Sequence, residues 1–213
     1  MPTKFSHCRL ALPQMYLCIQ HLILVFFCVL LPSTLTFGAD GFNMADAVRS
    51  QRAKSYFGNG KLFDQDGVEH HFYNDLLQGH IVLINVVYTQ CKDACPMITR
   101  LLGLAKDRLG EDFGHTVFFL SLSSDPNHDT PETMKTFARK HHADHPGWRF
   151  LSGKREVMEP LLRRLGQWSD DPADHRSLLL AGNTAQAHWV KIRPDATPEY
   201  IAAELRRVAH SPQ

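Results

Sequence analysis

Cys91 and Cys95 are the residues in this sequence best suited to soft-metal or redox chemistry. They lie in the stretch Tyr88-Thr89-Gln90-Cys91-Lys92-Asp93-Ala94-Cys95-Pro96. At helical i,i+4 spacing two side chains share one face, so both sulfurs are expected to point at one small target. The positive end of a helix stabilises thiolate, the form that binds metal or attacks a disulfide. Soft thiolates select Cu(I) and Zn, and imidazole suits copper in both oxidation states. Two cysteines make an incomplete metal site, so a third ligand must come from elsewhere in the chain. A plain structural disulfide is the alternative, but closing so short a loop stabilises little.

The elements around the pair are those of an α/β domain. His80 to Thr89 (HIVLINVVYT) is a near-continuous β-branched run, expected to be a strand buried on both faces. A helix should follow from about Ala94 to Gly110, then a second buried strand over Thr116–Ser123. Thr130, with Pro131 after it and Glu132 in the first turn, should cap a helix reaching about His142. Trp148–Leu151 reads as a short strand and Lys154–Trp168 as a helix. Two hairpins are expected. One joins Lys61–Phe63 to Val68–Tyr73 across Asp-Gln-Asp-Gly, and the other joins Leu178–Ala181 to Ala187–Ile192. Thr197 should cap a last amphipathic helix running to Ala209. A βαβ unit followed by a ββα unit is the thioredoxin-type plan. The fold expected is therefore thioredoxin-like, with an added N-terminal hairpin and an inserted helix-bearing segment. Right-handed crossovers would bring Cys91 and Asp125 to one sheet edge, where ligands collect.

The first forty residues differ from the rest. Lys4 and Arg9 are the only fully charged side chains before Asp40, and Met15–Leu31 is apolar apart from Gln20 and His21. A positive start, an apolar run and small residues through Gly38 describe a secretory signal, with a cut between Gly38 and Ala39. Seventeen residues is also about the short limit for a spanning helix, so an uncleaved membrane anchor fits equally. Either form places residues 39–213 outside the cytoplasm, in a bacterial periplasm or tethered to its inner membrane. The expected organisation is residues 1–38 as signal or anchor, 39–59 as an approach segment, and 60–213 as the folded domain. Of the five cysteines, Cys8, Cys18 and Cys28 fall in the leader. Only Cys91 and Cys95 would meet an oxidising compartment, where they would pair, bind metal or cycle between states.

Composition bounds the rest. With 23 Lys+Arg against 22 Asp+Glu the formal net charge is +1, which removes the electrostatic case for nucleic-acid binding. A hydrophobic share of 44% and a charged share of 21% are those of a globular chain, not a disordered one. A chain of this length buries about 70% of its unfolded surface, so it needs no metal to fold. A metal site here would be functional.

The sequence resembles the Sco/SenC family of copper-binding, thioredoxin-like proteins in four ordered blocks. The first is Tyr88-Thr89 leading to Cys91-x-x-x-Cys95-Pro96. The others are Leu62-Phe63-Asp64-Gln65-Asp66-Gly67, the stretch from Ser121 through Asp125-Pro126 to Asp129-Thr130-Pro131-Glu132, and Asp174-His175 followed by Ser177. The likeness runs from about residue 60 to the C-terminus. It implies a site of Cys91, Cys95 and His175 for one copper, Cu(I) or Cu(II), and delivery to the binuclear copper centre of cytochrome c oxidase. The implied partners are the copper-bearing subunit of that oxidase or another exported acceptor, and a thiol-disulfide partner. Asp174 would be a neighbour that orients the imidazole. Departures are Lys92 in place of a usual Pro, Val86-Val87 in place of an aromatic and Gly, His128 in place of an Arg, and Gly-Asn-Thr-Ala-Gln in the last hairpin turn. None removes a ligand, and Lys92 adds positive charge beside Cys91.

Two enzymatic alternatives use the same cysteines. As a thiol-disulfide oxidoreductase, Cys91 would attack and Cys95 would resolve the mixed disulfide. As a thiol peroxidase, Cys91 would be the nucleophile, with His175 no ligand. Several histidines, Met97 and Asp125 also carry groups capable of chemistry. His141, His142 and His145 are expected to form a solvated helix end, where His is electrostatically favoured. His70 and His71 should point to opposite faces of a strand, and His188 should be structural. Met97 is expected in the core. Asp125 is expected either to tune the site or to initiate the Asp-Pro turn.

Overall fold

In a computed structural model the strands and helices of the domain follow the expected order; the structure describes residues 44–174 and 177–210. The leader reading, Cys8, Cys18 and Cys28, and His175 lie outside the described residues. No helix among those described is long and apolar enough to cross a membrane.

The chain opens with helix α1 (Met44–Phe57), then the hairpin β1 (Lys61–Phe63) and β2 (Glu69–His71). Strand β3 (Ile81–Val87), helix α2 (Ala94–Leu109), β4 (Val117–Ser123), α3 (Pro131–Lys140) and β5 (Trp148–Leu151) build the parallel half. Helix α4 (Arg155–Arg164), β6 (Leu179–Asn183), β7 (His188–Ile192) and α5 (Pro198–Ala209) complete the fold. The sheet order is β5-β4-β3-β6-β7. β3 pairs parallel to β4 and β4 to β5, whereas β6 runs antiparallel to β3 and β7 to β6. This is the thioredoxin-like arrangement, with β1-β2 as a separate two-stranded sheet.

All seven residues of β3 are buried because both sheet faces are covered. Leu83 and Val87 join α2, α3 and α5 in one core through Ile98, Leu102, Phe137 and Leu205. Val82, Ile84 and Val86 face the other way, onto Leu62, the Phe72–Leu77 segment, α1 and α4. The strand period of two thus splits one apolar run between two cores.

The Asp64-Gln65-Asp66-Gly67 block is structural. Asp64 is fully buried and its carboxylate accepts from the N–H groups of Asp66 at 2.9 Å and Val68 at 3.0 Å. Gln65 donates to the Trp148 carbonyl at 2.9 Å and accepts from the Phe150 N–H at 2.8 Å. The hairpin is thereby clamped to the outer edge of β5, whose buried backbone groups need partners.

Several boundaries differ from expectation. The strand expected to reach Tyr73 ends at His71, and Phe72–Leu77 form a π-type turn whose apolar residues are buried. The helix expected to reach Trp168 ends at Arg164. Gly166 takes φ of 69°, and the Gln167 N–H bonds the Leu162 carbonyl at 2.8 Å, a glycine-terminated helix end. Strand β6 extends through Gly182 and Asn183, so the turn starts at Thr184. Met97 is 63% exposed, not in the core. Helix α2 buries Cys95, Ile98, Thr99, Leu102, Ala105 and Leu109, and position 97 falls on the opposite face.

Candidate metal and thiol site

Cys91 sits in the loop after β3 and Cys95 is the second residue of α2. The helix begins at Ala94, as expected, so Cys91 precedes it and helical i,i+4 geometry does not by itself bring the two sulfurs together. The sulfurs converge for a different reason. The first N–H groups of a helix lack intrahelical acceptors, and the Asp93 side chain makes no capping bond. The Cys91 sulfur fills that role. It accepts the Cys95 N–H at 3.3 Å and a further bond from the Asp93 backbone. Pro96, the next residue, has no N–H to satisfy. Both thiols are free, Cys95 being 1% exposed and Cys91 partly exposed.

The electrostatics separate the two sulfurs. Burial pushes the Cys91 thiol up, but the hydrogen bonds from the Cys95 N–H and thiol, the Asp93 N–H and the Tyr88 hydroxyl outweigh it, leaving Cys91 below the usual thiol value. The Cys95 thiol is pushed up to about 12, by burial first and then by the hydrogen bond it shares with Cys91. Tyr88 is likewise pushed up to about 12, by burial, by its bond to Cys91 and by nearby negative charge including that of Asp171. Lys92 is exposed, and hydrogen bonds depress Cys91.

A buried carboxylate anchors the cysteine loop. Asp129, 4% exposed, accepts the Thr89 N–H at 3.0 Å and the Thr89 hydroxyl at 2.6 Å. Its other oxygen accepts the Ser123 hydroxyl at 2.6 Å, and Ser123 Oγ accepts the Asp125 N–H at 3.0 Å. The loops after β3 and β4 are thus joined at one sheet edge. Burial raises the Asp129 carboxyl, and the bonds from Ser123 and Thr89 oppose that rise. Asp125 initiates the turn: its carbonyl accepts the His128 and Asp129 N–H groups, and its carboxylate meets His128 Nδ1 at 2.8 Å. His128, the residue that departs from the usual Arg, supplies that partner.

A cleft of about 360 Å³ opens between this loop and α3, lined by Thr89, Cys91, Glu132, Thr136, Phe137 and His141 among others. His141 was expected on a solvated helix end. It is the C-cap of α3, packs on Phe137 with ring centres 4.5 Å apart, and shares the cleft with Cys91. His145 is a structural residue: its Nδ1 accepts the Gly147 N–H at 3.0 Å. His70 bonds the Asp64 carboxylate at 2.8 Å, away from the cysteines. Asp174, exposed, ends the short 3-10 turn Pro172–Asp174. Among the described residues no group of three or more His, Cys, Asp or Glu side chains is placed to hold a metal ion. The donor set on hand is two sulfurs at one point, which fits a soft metal needing one further ligand.

Sequence reasoning assigned no role to Tyr88, Thr89 or Asp129. Their signal was present in the Tyr-Thr and Asp-Thr-Pro-Glu blocks, but only the fold shows that a residue 40 positions on reaches Thr89.

Known proteins are similar to this chain in sequence and fold. The SCO1/SenC family model matches residues 49–210. The SCO1 protein homolog of Bacillus subtilis is 32% identical over 78 residues, 36% of this chain and 39% of that protein, so the match spans about two fifths of that relative. The structure of Bradyrhizobium japonicum ScoI with copper bound is similar with a TM-score of 0.59 at 27% identity, covering 70% of this chain and 96% of that one. Yeast Sco1, at 22% identity and a TM-score of 0.59 over 72% of this chain and 93% of its own, shares the fold. The family model spans most of the chain, including both cysteines, and the chain belongs to the SCO1/SenC family.

Proposed function

We propose that this protein is a copper metallochaperone that holds one copper through Cys91, Cys95 and His175 and delivers it during cytochrome c oxidase assembly. The observation that carries the reading is the convergence of two free thiols at the N-terminus of α2, with the Cys91 sulfur held by backbone N–H groups. Soft, paired sulfur donors favour Cu(I), and an added imidazole accommodates Cu(II). The copper-bound ScoI relative supports the metal. Asp171, four residues before His175, acts by its charge on Tyr88 beside Cys91, which supports a third ligand from this segment. Binding would displace the thiol protons, and transfer would proceed by ligand exchange: each sulfur is released as a donor of the acceptor, a thiol or imidazole, replaces it. The acceptor is read as the copper-bearing subunit of the oxidase, or another exported protein. The domain is read as exported, with residues 1–38 as signal or membrane anchor.

A second reading is favoured by the asymmetry of the pair. Cys91 is the more exposed and has the depressed thiol, whereas Cys95 is buried and protonated. That is the order of a nucleophile and a resolving thiol. In this reading the Cys91 thiolate attacks an acceptor disulfide and displaces one acceptor thiolate. Cys95 then displaces the other, so the acceptor gains two electrons and Cys91-Cys95 becomes a disulfide.

The deciding experiment titrates the reduced protein with Cu(I) and Cu(II), beside the variants His175→Ala and His141→Ala. Tight one-to-one binding that weakens with His175→Ala alone establishes the three-ligand site. Loss with His141→Ala instead moves the third ligand into the α3 cleft. Weak binding indifferent to both rejects the chaperone reading in favour of the redox pair.

A further inference from the structure

A second concavity, of about 620 Å³, opens between α1, the end of α4 and strands β6 and β7. None of the cysteine-site residues lines it. Its volume falls in the range of about 300–1,000 Å³ typical of small-molecule sites.

Its floor is aromatic and apolar. Trp189 pairs across the strands with Gly182, and a Cβ on that glycine would fall 2.2 Å from the indole. The ring therefore lies flat on the β6 backbone, a seat that only glycine leaves open. Phe57 leans on the indole with ring centres 4.8 Å apart. Trp189 nonetheless remains partly exposed, toward the groove that it lines.

The rim is cationic. Arg49 and Arg52 come from α1, Arg163 and Arg164 from α4, and Lys191 from β7, and among the described residues no Asp or Glu lines the groove. Arg163 is matched by Glu159, and Arg49 has a partner. Arg52, Arg164 and Lys191 enter no ion pair among the described residues. The helix dipole accounts for cations at the end of α4. It does not account for Arg52 and Lys191, which approach the same groove from two other elements. In a chain with a net charge of +1 this is a local concentration of one sign. An apolar floor with convergent cations is complementary to an apolar anion.

We propose that this groove binds one amphipathic anion, an aromatic or apolar body resting on Trp189 and Phe57 with its carboxylate, sulfonate or phosphate at the Arg52, Arg164 and Lys191 rim. The concave shape and the volume fit a single molecule rather than the flat face of a membrane. The inference is independent of how the cysteine site is used.

The test uses the full chain with anilinonaphthalene sulfonate, an aromatic anion that fluoresces when bound, beside its uncharged analogue phenylnaphthylamine. The anion should bind saturably, one per chain and about tenfold tighter than the neutral compound, as a charge-assisted contact predicts. The pair Arg52→Glu with Lys191→Glu should weaken it by about tenfold or more. Ala53→Phe, which fills the groove, should do the same. Charge reversal at Arg100 and Lys154, outside the groove, should leave it within about twofold. The charge variants sit at exposed positions, so they report even where Ala53→Phe fails to fold. Equal affinity for the neutral compound, or affinity unmoved by Arg52→Glu with Lys191→Glu in a chain of unchanged melting temperature, overturns the proposal.

Discussion

Asp129 holds Thr89 by both its backbone N–H, at 3.0 Å, and its hydroxyl, at 2.6 Å, although 40 residues separate them. Thr89 lies two residues before Cys91, so the buried carboxylate fixes where the cysteine loop leaves β3. Asp129→Ala leaves the Thr89 N–H and the Ser123 hydroxyl without that acceptor. Each orphaned buried donor costs about 1–3 kcal/mol. The melting temperature should fall by roughly 5–10 °C. Copper affinity of the reduced chain should fall with it, because the loop loses its anchor. A variant that melts as the parent does and binds copper as well would show that Asp129 has no positioning role.

The two thiols should react at different rates. Cys91 is accessible and its thiol is depressed, whereas Cys95 is buried and its thiol raised. At neutral pH iodoacetamide should therefore modify Cys91 first, and the rate should plateau at lower pH than for a free cysteine. Cys95→Ser should keep the fast phase and Cys91→Ser should lose it. Peptide mapping after a short pulse reads this directly, and label appearing first on Cys95 would contradict it.

Acid stability should depend on Asp64. Burial pulls its carboxyl up, but the bonds from His70 and from the Val68 and Asp66 N–H groups outweigh burial and hold it below the ordinary value. Arg149 adds a contact at 3.0 Å. A carboxylate depressed in the folded state stabilises fully above its unfolded pKa of about 3.9, and that contribution is lost as pH falls through the folded value. Asp64→Asn should cost about 2–3 kcal/mol in urea unfolding at neutral pH. The gap from the parent should shrink as the pH drops below about 4. A gap that stays constant or widens in acid would show that the charge is not what Asp64 contributes.

The clamp between the hairpin and β5 gives a test that leaves charge untouched. Gln65 bonds the Trp148 carbonyl and the Phe150 N–H. Gln65→Leu keeps the volume but strands both groups at a buried edge. It should destabilise by about 2–4 kcal/mol, with little change in thiol reactivity, since Cys91 lies elsewhere. Unfolding curves within error of the parent would show that water or another group takes over both bonds.

What the sequence made legible follows from how local each signal is. β3 and β4 were visible as apolar runs because burial on both faces removes the alternation. The caps of α3 and α5 were visible because Thr130 and Thr197 accept N–H groups three residues on, at Thr133 and Tyr200. The end of α4 was written in Gly166, whose positive φ stops the helix, but the amphipathic pattern beyond it obscured the stop. The convergence of the two sulfurs was expected from their spacing, but the capping bond by which Cys91 meets the start of α2 is a contact that spacing alone does not reveal. Met97 was misplaced because it faces away from Cys95, and Cys95 itself lies on the buried face of α2. The Thr89–Asp129 tie could not be read at all, since it depends on the parallel pairing of β3 with β4.

Oxidation of the pair should switch copper binding off. The Cys95 N–H bond and the shared thiol hydrogen bond show that the sulfurs are already neighbours in the reduced state. Disulfide formation removes two electrons and consumes both thiols in one bond, so neither sulfur remains a thiolate donor. Mild oxidation should abolish Cu(I) binding, and a dithiol reductant should restore it. Copper loaded first should in turn shield Cys91 from iodoacetamide, because the metal and the alkylating agent compete for the same sulfur. Equilibrium dialysis of the oxidised and reduced chains, with thiol counts on each, reads both effects. Copper retained one-to-one by a chain with no titratable thiol at Cys91 or Cys95 would remove those sulfurs from the ligand set, and the chaperone reading with them.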